Sequence, residues 1–189
     1  MGLTLADSYY LKAKAATSGF CSDWGEVCES LNYALSYDEN HCASLCFLGK
    51  IYAENLSQYT NAFECFDKII AIDTNFIDVY PIYIKYLIWA DEIERAEILI
   101  DFAQKIKAID NSQLFWLKAY IEDVRGNYKL SLKLLKKAKI NIYNEYYFDF
   151  MNDEKRRIKK KIALIKPQKS KKDKVKSSKK DKKVKKKKK

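Results

Sequence analysis

The stretch that decides the fold is YTNAFECFDKIIAID, residues 59–73. Its apolar residues fall three or four positions apart, the spacing that puts side chains on one face of a helix. The chain repeats this pattern at steps of 34 or 35 residues, and four columns keep one register: Trp24, Tyr59, Ile93 and Tyr128; Val27, Ala62, Ala96 and Ser131; Leu31, Phe66, Ile100 and Leu135; Ala34, Ile69, Ala103 and Ala138. An internal period of this length predicts a stack of helical hairpins.

Composition agrees with an all-α fold. The 189 residues are 48% hydrophobic, enough for a core, and include only five glycines and two prolines, few for a turn-rich β protein. The first residues lack the charged start and apolar run of a signal peptide, and no uncharged apolar run reaches the ~18 residues of a membrane span. Five cysteines, an odd number, are typical of reduced thiols. We predict a soluble cytoplasmic protein without a transmembrane segment, with the nucleus as the alternative if the source is eukaryotic.

The net charge of +11 hides a division along the chain. Residues 166–189 contain 15 Lys and two Asp, whereas residues 1–153 carry a net charge of −7. The electrostatic description is therefore an acidic body with a basic tail.

The pattern predicts nine helices. We place them at about residues 6–17, 24–36, 41–54, 59–73, 78–90, 93–106, 112–124, 128–140 and 144–165. Thr4 and Asp7 form a capping-box pattern, and Asp23 is the expected N-cap of the second helix. Gly49 in mid-helix predicts the close approach of another helix, since glycine there costs about 1 kcal/mol relative to alanine. Pro81 lies in the first turn of the fifth helix, where a missing amide donor is tolerated.

The helix pairs resemble the tetratricopeptide repeat. Repeat two carries the family pattern as Leu45, Leu48, Gly49, Tyr52, Ala62, Phe66 and Ile69, and repeat four as Phe115, Ala119, Gly126, Asn127, Tyr128, Leu135 and Ala138. Repeats one and three are looser, with Ala13 and Ile84 in place of the glycine, and the usual proline near the end of each repeat is missing. The resemblance implies an α-solenoid of about four repeats within residues 4–141, at about 4–38, 39–74, 75–110 and 111–142. Residues 143–165 are then expected to be a C-terminal capping helix, and 166–189 a disordered lysine-rich tail.

The family's concave groove, lined by the first helix of each repeat, implies a site for an extended peptide or a partner helix. The corresponding positions are Tyr10, Lys14, Cys46, Lys50, Pro81, Lys85, Trp116 and Tyr120. Lys14, Lys50 and Lys85 are equivalent positions and would form a positive ladder. We hypothesise that this ladder receives an acidic or C-terminal carboxylate segment, with Trp116 and Tyr120 as apolar anchors. The alternative is three solvated lysines on an exposed face.

The tail is a second candidate site. Nine of its lysines could neutralise the phosphates of a nucleic acid or an anionic membrane. They are Lys171, Lys172, Lys179, Lys180, Lys182, Lys183, Lys185, Lys186 and Lys187. No aromatic residue is interleaved to stack on bases, so base readout is not expected. The alternative is a solubilising element or a tail-to-body charge contact.

Signals for catalysis are thin. The chain has one histidine, no glycine-rich phosphate loop and no metalloprotease motif. His41, Cys42 and Cys46 have the spacing of half a metal site, but the other cysteines do not supply a second pair. We predict no catalytic residues, no metal and no cofactor.

Two functions remain. The first is a non-enzymatic protein-interaction scaffold or adaptor, whose groove binds another protein while the tail adds an anionic contact. The alternative is an RNA- or ribosome-associated helical-repeat protein that uses the tail for nucleic acid. Pentatricopeptide repeats have a similar period and read bases, but the small residues of the second helices and the closing acids Asp38, Asp73 and Asp110 favour the tetratricopeptide pattern.

Overall fold

A computed structural model describes residues 2–17, 22–142 and 144–165. These residues form helices and no strand: α1 (Leu5–Ala16), α2 (Trp24–Tyr37), α3 (Cys42–Glu54), α4 (Tyr59–Ile72), α5 (Val79–Trp89), α6 (Ile93–Ala103), α7 (Asn111–Val124), α8 (Tyr128–Ile140) and α9 (Glu145–Ile165). The predicted all-α helical-repeat fold is confirmed. The described residues fall into two units, one within residues 2–142 and one within residues 144–165. Within the described ranges, no helix is long and apolar enough to cross a membrane.

The first unit is built from four hairpins. Helix α1 packs on α2, α3 on α4, α5 on α6 and α7 on α8, and α5 also contacts the equivalent helices α3 and α7. The predicted caps are confirmed: the Asp7 amide donates to Thr4 Oγ1 at 3.1 Å, and the Thr4 amide donates to Asp7 Oδ2 at 2.9 Å. Asp23 Oδ1 accepts from the Glu26 amide at 3.0 Å. Both helices of the first hairpin therefore begin at the polar capping residues that the sequence predicts.

Helix α6 ends three residues earlier than the repeat pattern predicts. The amides of Lys105 and Ile106 donate to the carbonyls of Phe102 and Ala103, three residues back, which tightens the chain into a turn. Ala108 then has φ 68, a left-handed conformation that ends helical propagation. The short α6 is thus set by the turn that follows it.

The close approach predicted at Gly49 is confirmed. A Cβ added there would lie 2.6 Å from Cε1 of Phe66, which is completely buried. The ring of Phe66 occupies the space that any larger residue at position 49 would need. Helix α4, in the stretch at residues 59–73, therefore packs closely against α3 because Gly49 has no side chain.

The turns within hairpins two, three and four share a backbone conformation. Two residues before the second helix of each hairpin, Ser57, Asp91 and Gly126 have φ values of 54, 63 and 79. Glycine adopts positive φ without a Cβ clash, and a non-glycine residue does so at a cost of roughly 1–2 kcal/mol. The same turn is kept even where the sequence lacks the glycine.

Apolar burial in the first unit is divided into a large and a small cluster. The large one runs through repeats two to four and includes Phe66, Tyr80, Tyr83, Tyr86, Ile100 and Leu117. The small one joins repeats one and two and consists of Ala13, Val27, Leu31 and Ile51. The stack is therefore unequally packed along its length.

The second unit contains α9. Its second half carries paired charges one turn apart, Arg156 with Asp153 at 2.7 Å and Arg157 with Glu154 at 2.8 Å. Such pairs three residues apart add a few tenths of a kcal/mol to the helix. The capping role predicted for residues 143–165 stays a prediction, and the tail at residues 166–189 lies outside the described residues.

Candidate functional site

A hollow of about 520 Å³ lies along the first helices of the hairpins. Its walls come from α1, α3, α5, the start of α7 and the turns that precede α5 and α7. The lining residues are Tyr10, Lys14, Thr17, Ala43, Cys46, Phe47, Lys50, Phe76, Ile77, Asp78, Pro81, Ile82, Ala108, Ile109, Asp110 and Gln113. We refer to this hollow as the groove. It has the size of a site for a small ligand or a few residues of a peptide.

Five of the eight residues predicted for the groove lie in its lining. They are Tyr10, Lys14, Cys46, Lys50 and Pro81. The ammonium of Lys14 is 5.6 Å from the centre of the Tyr10 ring, a cation–π distance that places both side chains together. What the groove binds stays a prediction.

Lys85 does not join the other two lysines. Its Nζ lies 2.9 Å from Glu54 Oε1 and is 4.5 Å and 4.8 Å from the ring centres of Tyr86 and Trp89. Burial tends to raise the pKa of Glu54, but hydrogen bonds from the Tyr86 hydroxyl and from Lys85 outweigh it, so this pKa is lowered. A carboxylate that is held ionised neutralises Lys85, and the predicted ladder is reduced to Lys14 and Lys50.

Trp116 and Tyr120 also lie outside the lining of the groove. Their ring centres are 6.4 Å apart, and both half-buried side chains pack against the large apolar cluster. Their contacts are those of core residues of repeat four. The structure thus separates the predicted anchors from the predicted cation sites.

The groove holds charges of both signs. Lys50 and Asp78 form no hydrogen bond or ion pair with another described residue. Burial raises the pKa of the Cys46 thiol to about 12. The positive charge of Lys50 acts to lower this pKa, and the negative charge of Asp78 acts to raise it. The buried, neutral Cys46 therefore lies within the fields of a cation and an anion, and Lys50 also acts on Glu54, whose pKa it helps to lower.

The floor of the groove contains apolar residues that the sequence analysis missed. Phe47 and Ile82 follow directly after predicted groove positions, and Ile77 and Ile109 lie in the turns before α5 and α7. The prediction considered only helix positions four residues apart. The turns could have been included, because the sequence repeats there. Residues 76–78 read FID and residues 108–110 read AID, 32 residues apart, which is close to the repeat period.

The single histidine links repeats one and two. His41 is the N-cap of α3, its Nδ1 lies 2.7 Å from Ser44 Oγ, and its Nε2 lies 3.1 Å from Asp7 Oδ1. Hydrogen bonds from the Thr4 amide and hydroxyl, and then from His41, lower the pKa of Asp7 to about 2. No group of three His, Cys, Asp or Glu side chains suited to a metal ion occurs in the part of the chain that the structure describes.

The lysines predicted as an anion-binding tail lie outside the described residues. They are Lys171, Lys172, Lys179, Lys180, Lys182, Lys183, Lys185, Lys186 and Lys187. Their contact with an anionic partner stays a prediction.

No protein-family model matches the chain, and no curated protein is similar to it in sequence. Two crystal structures of MamA are similar in fold. One has a TM-score of 0.58 and 18% sequence identity, and the match covers 83% of this chain and 89% of that one. The other has a TM-score of 0.54 and 15% identity, over 87% and 98% of the two chains. At these identities the similarity concerns the fold alone, and it supports a tetratricopeptide-like helical-repeat fold for this chain.

Proposed function

We propose that the chain is a non-enzymatic protein-interaction scaffold that binds an extended segment of another protein in the groove. The observation that supports this most is the combination of apolar lining residues with Lys50 and Asp78, whose side chains form no ion pair with another described residue. A few well-placed polar groups above an apolar surface are the usual composition of a binding site. A scaffold requires only such a surface, and no constellation of catalytic side chains is needed.

The charges of the groove suggest the chemistry of the bound segment. A carboxylate, from an acidic side chain or a C-terminus, is expected beside Lys14 and Lys50. Apolar side chains would then contact Phe47 and Ile82, and a lysine or arginine of the segment would meet Asp78. Opposite charges at the two ends would fix the direction in which the segment binds, since the reversed segment places like charges together.

The test is selection of peptides by the full-length chain from a display library of random sequences, followed by measurement of the affinity of the selected peptides. Lys50→Glu should weaken binding about tenfold, equivalent to about 1.4 kcal/mol. The matched control is Lys68→Glu, which makes the same charge change on the exposed surface of α4 in the same repeat. Selected peptides should be rich in acidic residues followed by apolar ones.

Two results would reject this proposal. One is a library that yields no enriched peptides with the wild-type chain. The other is a set of peptides whose affinity is the same for wild type, Lys50→Glu and Lys68→Glu, because those peptides would bind outside the groove.

The second candidate function, contact with RNA or the ribosome through the tail, is favoured by the lysine content of residues 166–189. Purification of the full-length chain with its partners, before and after nuclease treatment, separates the two. Partners that remain after nuclease digestion support the scaffold, and partners that are lost with the RNA support the alternative.

A further inference from the structure

The charge of the chain changes sign inside the folded repeats, before the tail begins. Residues 1–127 contain ten Lys or Arg and 19 Asp or Glu, a net charge of −9. Residues 128–189 contain 26 basic and six acidic residues, a net charge of +20. The change falls at the turn into α8, which contains five lysines and no acidic residue in 13 positions. The basic part of the chain therefore includes one helix of repeat four.

Three of these lysines form a line along α8. Lys129, Lys133 and Lys136 are exposed, and their spacing of four and three residues puts them on one side of the helix. The opposite side carries Ser131, Leu135 and Ala138, which are buried. At 1.5 Å per residue the line extends over about 10 Å. We refer to these three residues as the lysine stripe.

The lysine stripe differs in its surroundings from the three lysines of the repeats that pair with carboxylates. Lys12, Lys85 and Lys118 each lie within 3.3 Å of a carboxylate oxygen. By contrast, Lys129, Lys133 and Lys136 form no hydrogen bond or ion pair with a described residue. Like charges three and four residues apart repel each other and destabilise a helix. An external anion with several charges would remove this repulsion.

We propose that the lysine stripe binds the phosphate backbone of a nucleic-acid duplex. A duplex strand presents one phosphate per about 3.4 Å of axis, so the stripe can meet a phosphate at each lysine. No aromatic residue stands between the three lysines, which disfavours stacking on the bases of a single strand. A membrane surface fits less well, because a helix that lies on lipid needs its apolar side free and this side of α8 is already buried.

The test measures binding of the full-length chain to a DNA duplex of about 20 base pairs by fluorescence anisotropy across a range of salt concentrations. The variant is Lys129→Gln with Lys133→Gln and Lys136→Gln. Each lost phosphate contact reduces the slope of log K against log salt by about 0.9, so three contacts reduce it by about 2.7. The tail is unchanged and supplies the remaining slope in both proteins.

The matched control removes the same charge elsewhere, with Lys12→Gln, Lys68→Gln and Lys107→Gln, all exposed positions in repeats one to three. It should leave the slope unchanged. Replacing the stripe by three arginines should preserve the slope, since arginine also contacts phosphates. Circular dichroism should show all variants folded, because glutamine is a good helix former.

Three outcomes would overturn the proposal. A stripe variant with the wild-type slope means that the tail alone binds the duplex. An equal decrease in stripe and control variants means that only the net charge matters. Unchanged duplex binding together with weaker binding to phosphatidylserine vesicles means that the stripe faces a membrane. None of these outcomes depends on the groove.

Discussion

Repeats two and three meet through fully buried aromatic rings, whereas repeats one and two meet through aliphatic side chains, one partly buried aromatic pair and a polar link. In the first contact, the Phe66 ring lies 5.1 Å from Tyr83 and 6.1 Å from Tyr86, measured between ring centres. The second contact consists of the small apolar cluster, the partly buried rings of Tyr10 and Phe47 with their centres 6.4 Å apart, and the 3.1 Å link between His41 and Asp7. Stability in a repeat stack is roughly a sum over neighbouring units. Because the aromatic contact buries more apolar surface, repeat one should be the weaker end.

The largest effect should come from Phe66→Ala. The side chain is fully buried and in contact with both tyrosines, so its removal leaves a cavity and should lower the free energy of unfolding by about 3–5 kcal/mol. Urea unfolding of the full-length chain, followed by circular dichroism, measures this. Phe102→Ala is the control: its ring packs 6.0 Å from Tyr80 but is 42% exposed, so the loss there should be about 1 kcal/mol. Equal losses would show that the aromatic contact has no special weight.

Leu31→Ala tests the weaker contact. Removing this buried side chain should lower the free energy of unfolding by about 2–3 kcal/mol, at the low end for such changes because the cluster is small. Hydrogen exchange measured by mass spectrometry should then show loss of protection in α1 and α2 and normal protection in α4 to α6. Loss of protection spread evenly over all hairpins would mean that the two contacts are not independent.

A smaller effect is expected from exchanging glycine and alanine between Gly49 in repeat two and its equivalent, Ala13, in repeat one. Gly49→Ala gains about 1 kcal/mol of helix propensity but pushes a methyl group into Phe66, so we expect a net loss of about 1–2 kcal/mol. Ala13 is the equivalent residue in repeat one, where Leu31 replaces the phenylalanine. Ala13→Gly should cost about 1 kcal/mol through propensity, and more because it also removes a buried methyl group. Adding Phe66→Leu to Gly49→Ala should reduce the clash, and strict additivity of the two changes would contradict the packing explanation.

At high pH the aromatic contact should fail first. Burial, and then a hydrogen bond to a carboxylate, raises the pKa of Tyr83 and of Tyr86 above the ordinary value of 10. A group whose pKa is raised by folding adds stability below its unfolded pKa and loses it at higher pH. Stability should therefore decrease above pH 10, and Tyr86→Phe should make this decrease shallower. Thermal melts at several pH values measure the slope, and an unchanged slope in Tyr86→Phe would contradict the assignment.

At low pH the capping box of α1, and the polar link to His41 that shares Asp7, should respond. Asp7 has its pKa lowered from 3.8 to about 2, so its contribution is present above pH 3.8 and lost as the pH falls towards 2. The carboxylate is exposed, so this is the smallest effect in the series. Asp7→Asn should reduce the acid slope of the hydrogen-exchange protection in α1 while α5 is unaffected. A change in α5 alone would contradict the location of the link.

Much of the fold could be predicted from the sequence because it depends on local pattern and period. The equivalent columns place the helices, Thr4 and Asp23 mark helix starts, and Gly49 indicates the contact with Phe66. The left-handed turn could be inferred only at Gly126, since Ser57 and Asp91 adopt the same conformation without glycine. The early end of α6 depends on the turn that follows it, and no periodic signal reports that turn.

The groove was harder to predict, because equivalent positions do not have equivalent neighbours. Lys50 and Lys85 occupy the same repeat position, but Lys85 pairs with Glu54, 31 residues earlier. The position corresponding to Glu54 in repeat one is residue 18, a serine, so repeat one supplies no carboxylate there to pair with Lys50. The repeat period predicts the backbone position from which a side chain extends. The charges around that side chain depend on residues of the preceding repeat.

The change of charge sign at α8 has a consequence for the protein as a solute. A chain with −9 on one part and +20 on the other resembles a large zwitterion, so its net charge of +11 does not describe how two copies interact. At low ionic strength the basic part of one copy attracts the acidic part of another, and this attraction fades at 0.15 M salt, where the Debye length is about 8 Å. Adding salt should therefore make solutions of this protein less prone to cluster, and light scattering at low and high salt would reveal it.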